Sequence, residues 1–482
     1  MRKAILWGFV ALYGCATSPS YRSPAVPPPA TFRAVRDSAQ APAYVTPAVI
    51  APAQPTTEGA SPDTSSAYWD QLNDTTLSRL LREVSRGNLD IQAARARVSA
   101  ASSDRVRSIL DLTPSATVSA GYSRQRYAVA SFPGATGVFP DQNVWSTSVD
   151  ASWDLDIFGQ IRHNVQAQGA FQDVAEEQQR DVEVTLQAQL ASAYFQLRGA
   201  QEQLQVARQN AENQKKTLEL TEQRASAGRG SAFDTERAQA QLSSTLAIIP
   251  AREAQVAAAQ YHIGTLVGRS PTQVAQELDQ AAPLPSLPDV TAIANPESVV
   301  RRRPDVAAAE RQAAAQGALV GAAKASYLPR VTFGGSAGYL APEFSTVGDR
   351  STYRYVIGPV ITWPGLNLGR VKTEVDAAQA REHAAQAQYS QAVLAAVEDV
   401  ETTLSRYRAT REQVARLEEA SAASTRAAEL ARLRYSEGAT DLLAVLDAQR
   451  TELDAQDRLA QGRTDAATAY AALYRAVGGT TR

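Results

Sequence analysis

Bond-making chemistry needs metal ligands, nucleophiles or paired acids, and this chain has few of them. Its three histidines, His163, His262 and His383, stand too far apart in sequence to suggest a local metal site. Cys15 is the single cysteine, so no intrachain disulfide can form. The sequence has no phosphate-cradling glycine loop, no plausible catalytic triad and no carboxylate pair in a recognisable catalytic context. No enzymatic activity, cofactor or metal is expected. Lysine plus arginine (48) nearly balance aspartate plus glutamate (50), which gives no reason to expect a nucleic-acid partner.

Polar chemistry gathers instead at three places. Arg301-Arg302-Arg303-Pro304-Asp305 reads either as a phosphate-binding cluster or as a helix start, with Pro304 in the first turn and Asp305 favouring the N-terminus. Arg224, Arg229, Asp234 and Arg237 surround Gly228, while Arg434, Tyr435, Asp441 and Asp447 surround Gly438. Such groups can tie helices together or set the field at an opening.

The N-terminus offers one covalent modification. Met1-Arg2-Lys3 precedes an apolar run from Ala4 to Leu12, a secretory signal too short to span a membrane permanently. Leu12-Tyr13-Gly14-Cys15 resembles a bacterial lipobox, so 1–14 is read as a signal peptide and Cys15 as a lipidated mature N-terminus. Ala16 after the cysteine follows the sorting pattern of outer-membrane lipoproteins. The Pro/Ala/Ser/Thr-rich stretch 15–66 reads as a tether rather than core.

The rest is one unit written twice. Residues 90–114 align with 305–329, each running from Asp to Pro in 24 steps, and "WDLDIFGQIR" (153–162) aligns with "WPGLNLGRVK" (363–372). From there a constant shift of 210 matches Arg224 and Gly228 to Arg434 and Gly438, and Val267-Gly268 to Val477-Gly478. The first copy is read as 67–270, with strands near 115–123 and 144–156 and long helices near 160–227 and 231–267. After a linker at 271–296, the second copy is read as 297–482, with strands near 330–340 and 352–363 and helices near 370–436 and 441–477. The positions 186, 190, 193, 197, 200, 204, 207, 211, 214, 218, 221 and 225 keep an unbroken 4-3 spacing of mainly Leu and Ala, the coiled-coil period. A helix over 160–227 would be roughly 100 Å long, far beyond what a compact domain needs. Pro250 is expected to bend or break its helix.

The strands alternate. Trp145, Thr147, Val149, Ala151, Trp153 and Leu155 face one way, against Ser146, Ser148, Asp150, Ser152, Asp154 and Asp156. Tyr353, Tyr355, Ile357, Ile361 and Trp363 form a second such face, and Ala116, Val118, Ala120 and Tyr122 a third. Strands of about ten residues with aromatic ends suit an outer-membrane barrel. Lipid tolerates only a closed barrel, and known single-chain barrels begin at about eight strands. Four strands per chain therefore require an oligomer.

The motifs "WDLDIFGQIR", "RRRPDVAAAER" (301–311), "YLPRV" (327–331), "RYSEG" (434–438) and "VLDAQR" (445–450) resemble the TolC family of outer-membrane efflux proteins, within its lipidated branch. The resemblance covers about residues 68–479 and implies a mainly α fold with membrane β. It implies a homotrimer with a twelve-stranded outer-membrane barrel continued by a periplasmic helical barrel. By the same likeness the partners are outer-membrane lipid, a periplasmic adaptor and an inner-membrane pump of resistance-nodulation-division type. Gly159 and Gly369 would mark the strand-to-helix junctions, and Gly228 and Gly438 the hairpin turns at the closed end. Asp234 and Tyr435 fall on positions that link the two hairpins, and Asp447 where a ring of carboxylates lines the narrowest opening. Thr440 and Ala444 depart from the family pattern, and Arg434 or Arg237 could substitute there. Asp234 and Asp441 also read as plain helix caps.

These readings make the chain a passive exit duct for drugs or other toxic compounds. The competing reading is a lipid-anchored coiled-coil scaffold that transports nothing. Cys15→Ser should abolish acyl labelling while leaving assembly intact, and unchanged palmitate incorporation into the variant would refute the anchor.

Overall fold

The computed structural model describes residues 68–128, 133–134, 136–289 and 296–479. Cys15, the signal 1–14 and the tether 15–66 lie outside the described residues. In chain order the elements are α1 (Thr75–Gly87), α2 (Leu89–Leu110), β1 (Ser115–Gln125), β2 (Gln142–Leu155), α3 (Gln160–Ser226) and α4 (Ala232–Val267). There follow α5 (Pro271–Glu277), α6 (Pro296–Arg302), α7 (Pro304–Ala325), β3 (Arg330–Ala341), β4 (Tyr353–Thr362), α8 (Leu368–Ser436) and α9 (Leu442–Ala476). No described helix is long and apolar enough to cross a membrane, which says nothing of the strands.

Two compact units divide the chain. One comprises, among the described residues, parts of 97–176 and 308–390. Its four strands form one antiparallel sheet in the order β1-β2-β3-β4. The register puts Val118 against Val149, Val149 against Ala337, and Ala337 against Tyr355; Trp153 stands beside Phe333. Val118, Tyr355, Ile357 and Ile361 on this face are 68–80% exposed, so the chain leaves its apolar sheet face uncovered. The opposite face carries Ser119, Ser148, Asp150, Asp154 and Thr332, interrupted by Leu340, Val356 and Val360. Ser119 and Ser148 share a 2.8 Å hydrogen bond, and Thr332 donates to Asp154 at 2.6 Å. The duplication appears in detail here. The Trp153 indole donates to the Leu112 carbonyl at 2.8 Å, and the matching Trp363 indole to the matching Tyr327 carbonyl at 3.0 Å.

After β2 the chain turns into α3 at "WDLDIFG". Asp156 accepts from the backbone N–H groups of Ile161 and Arg162 at 3.0 and 2.9 Å, capping the helix. Gly159 takes a φ of 83°, which a side chain would strain. Gly369 stands in the first turn of α8 and is absent from the positive-φ glycines, so the second junction is made without that device.

The other unit holds the main core. Tyr68 donates to the Tyr470 carbonyl at 2.9 Å, Tyr470 returns a bond to the Tyr68 carbonyl, and their rings stack at 4.6 Å. Arg303 settles the reading of its motif. It is buried, forks onto Asp305 at 3.0 and 2.8 Å, reaches Asp399 at 3.0 Å and donates to the Ala476 carbonyl at 2.8 Å. The cluster is structural, with Pro304 as the first residue of α7 and Asp305 in its first turn. Asn88 stands at the matching place in the first copy and donates to the Leu266 carbonyl at 2.7 Å.

Two expectations are corrected. Of the bend or break expected at Pro250, the break does not occur: α4 continues through it, and Pro250 and Leu246 lie on an exposed face where the freed Leu246 carbonyl can meet water. The stretch read as linker contains α5, started by Pro271 at its first position.

Arg303→Met should cost about 1–3 kcal/mol by removing the charged hydrogen bonds to Asp305, Asp399 and the Ala476 carbonyl, the partly exposed carboxylates keeping water and, for Asp399, Arg475. Arg303→Lys should fall between, having charge without the fork. Urea midpoints of the three proteins check this, and an unchanged midpoint for Arg303→Met would contradict the anchor role.

Candidate hairpin gate

The two long hairpins, α3–α4 and α8–α9, end in turns of one design. Arg229 N–H bonds the Arg224 carbonyl and Gly228 N–H the Ala225 carbonyl, at 2.8 and 3.0 Å. Ala439 and Gly438 repeat this onto Arg434 and Tyr435 at the same distances. This six-to-one closure needs a left-handed residue, and Gly228 and Gly438 supply it with φ of 72° and 76°.

Each turn leads into a capped helix. Ser231 and Asp234 form a reciprocal capping box, and the Ser231 hydroxyl also donates to Asp234 at 2.8 Å. Asp441 is the N-cap of α9 and accepts from Ala444 N–H at 3.1 Å. With the shift of 210, Asp441 stands where the first copy has Ser231 and Ala444 where it has Asp234, so the second turn has the N-cap without the reciprocal carboxylate.

Arg224 makes the link between hairpins. Its guanidinium lies 4.6 Å from the Tyr435 ring centroid and donates to the Tyr435 carbonyl. Tyr435 is buried among Ala211, Leu218, Ala238, Leu242, Leu442 and Val445. Its hydroxyl lies 3.4 Å from the Thr221 hydroxyl. Asp234 and Tyr435, the two sequence-derived linking residues, thus direct their hydrogen bonds elsewhere and are not brought together. Arg237 stacks on Phe233 at 5.3 Å, and Arg434 is exposed. Asp447 is exposed on α9.

Farther from the turns, more polar bridges cross between hairpins. Gln449 donates to Thr217 at 2.8 Å, Asn210 to Gln456 at 2.7 Å, and Arg252 forks onto Asp457 at 2.8 and 3.0 Å. Arg463 joins Glu202 and Glu418, both at 2.9 Å. Sequence reasoning named Arg224 as part of the polar cluster without assigning it the link. It did not single out these bridges. The nearest signal was Gln214 and Thr221, which interrupt an otherwise apolar 4-3 spacing on the same stretch of α3 as Asn210 and Thr217 without making these bridges themselves. No group of acidic, histidine or cysteine side chains able to hold a metal occurs among the described residues.

Comparison with known proteins identifies the scaffold. The family model described as outer membrane efflux protein matches residues 80–269 and 295–479. The pyoverdine export outer membrane protein OpmQ of Pseudomonas aeruginosa is 30% identical over 419 residues, covering 86% of this chain and 87% of its own. Nodulation protein T of Rhizobium leguminosarum bv. viciae is 29% identical over 405 residues, covering 82% of this chain and 80% of its own. The solved outer-membrane channel OprN superposes with a TM-score of 0.83 at 34% identity, covering 96% of this chain and 99% of that one. A four-stranded sheet with an open apolar face, two long hairpins and these matches place the chain in the outer membrane efflux protein family, the TolC-like channels.

Proposed function

We propose that three copies of this chain form the outer-membrane exit duct of a tripartite efflux pump. The sheet carries this reading. Its order leaves β1 and β4 as edges, and much of its apolar face is exposed, Val118, Tyr355, Ile357 and Ile361 most of all. Lipid can cover that face, but only closure with other copies satisfies the edge N–H and C=O groups. Three copies supply twelve strands, an outward apolar face and an inward face of Ser, Thr and Asp. A periplasmic adaptor and an inner-membrane pump of resistance-nodulation-division type complete the assembly, and the pump supplies the energy. Cys15 adds a lipid anchor beside the barrel.

In the same reading the hairpin turns form the gate. Arg224 holds Tyr435 and tethers one hairpin to the other. Asp447 contributes one carboxylate per chain to a ring that favours cations. Asp234 and Asp441 keep the helix starts in order, and Arg434 remains available at the surface.

Detergent-extracted protein should run at three times the mature mass and give cation-preferring conductance in planar bilayers. A stable monomer, or a trimer silent in bilayers, would sink the duct and favour the scaffold.

The gate residues separate by phenotype. Arg224→Ala removes a cation–π contact worth about 1–2 kcal/mol in each chain. It should raise single-channel conductance and admit large antibiotics passively. Asp447→Asn should weaken cation preference and block by multivalent cations. Asp234→Ala should cost about 0.3–1 kcal/mol of helix stability with little change in conductance. If Asp234→Ala opens the channel and Arg224→Ala does not, the tether is Asp234 instead.

A further inference from the structure

The polar bridges between α3 and α9 fix a register. Seven residues up α3, from Asn210 to Thr217, correspond to seven residues down α9, from Gln456 to Gln449. Gln214 therefore stands level with Glu452, midway between the two bridges. Gln214, Gln449 and Glu452 are only 2%, 1% and 3% exposed. Four of their polar atoms have no hydrogen-bond partner: both amide atoms of Gln214, Oε1 of Gln449 and Oε2 of Glu452. The other Glu452 oxygen accepts from Gln456 at 3.2 Å.

Donors and acceptors in this layer balance in one protonation state. With Glu452 ionised, three acceptor oxygens face one amide nitrogen. With Glu452 protonated, its Oε2–H becomes a donor, and two donors then face two acceptors. We propose that Glu452 is a proton-operated latch between the hairpins, closing the layer when its Oε2–H donates to the Gln214 or Gln449 amide oxygen and loosening it when ionised.

The surroundings favour the neutral form. Burial lifts the Glu452 carboxyl above the usual glutamate range, and Glu429 on α8 pushes the same way. The Thr425 hydroxyl, the Arg432 charge and the Gln456 amide oppose that shift. The buried positions of α3 (Asn210, Ala211, Gln214, Thr217, Leu218) and α4 (Ala238, Leu242, Thr245) contribute no titratable group. A carboxyl that holds its proton more tightly folded than unfolded stabilises fully in acid, and that contribution disappears as pH rises through the elevated value. The seam is therefore tight in acid and looser towards neutral pH. As a control on opening, the latch rests on the duct reading; as a packing device it does not.

Hydrogen exchange of the α9 backbone over 445–456, on the full-length protein in detergent from pH 5 to 8, tests the latch. After correction for the intrinsic base-catalysed rate, protection in the parent should fall at least tenfold as pH rises. Glu452→Gln, which keeps a donor and an acceptor at every pH, should stay protected throughout. Flat protection in the parent overturns the proposal, as does a Glu452→Gln profile that tracks the parent; the parent profile decides alone if the variant fails to fold. Bilayer conductance recorded in parallel separates the two readings. A silent channel with pH-dependent protection removes the duct and keeps the latch, whereas a conducting channel with flat protection does the reverse.

Discussion

An unpaired strand edge is intolerable in lipid, because no water is there to satisfy its N–H and C=O groups. β1 and β4 are such edges in a chain whose sheet also shows an exposed apolar face. Much of the design follows from that constraint. The alternation of Trp145, Val149 and Trp153 with Ser146, Ser148 and Asp150 sorts lipid from water across one sheet. A single chain cannot complete the barrel, so folding of the membrane part and assembly are one event.

Duplication supplies the repeated parts, and the two copies diverge where work is done. Trp153 and Trp363 hold matching carbonyls, as do Asn88 and Arg303. Gly228 and Gly438 close matching turns. Near those turns the match fails. Arg224 is matched by Arg434, yet Tyr435 is matched by Ala225, so the grip on a ring exists in one direction only. The contact of Arg224 with Tyr435 is therefore one that only one pairing of the two turns can make, which is what the proposed gate requires.

Long-range regularity was legible in the sequence and local chemistry was less so. The 4-3 spacing and the absence of proline through 160–249 announced α3, because periodicity accumulates over many turns. Alternating faces announced the strands. Pro250 misled because a proline's cost depends on whether the freed carbonyl meets water, which the sequence does not display. The short helix α5 was hidden inside a proline-rich stretch, though Ser270-Pro271 was a usable start signal. At the gate, residue types were visible and pairings were not. Asp234 could cap or tether, and only the position of Ser231 relative to it decides where its carboxylate turns.

The seam between the hairpins also explains why polar residues occupy an interior that leucine could fill. Gln214, Thr221, Gln449 and Glu452 sit where the apolar spacing would place aliphatic side chains. Buried polar layers cost stability relative to apolar packing, and they enforce register. Two apolar hairpins would slide along each other and resist parting with comparable ease at every offset. A layer of bridges such as Asn210 with Gln456 and Arg252 with Asp457 admits one offset and breaks bond by bond. A joint that must hold a register when closed and still come apart is better served by few directional contacts than by a continuous oily strip. The sheet, which never has to part from lipid, keeps its face apolar.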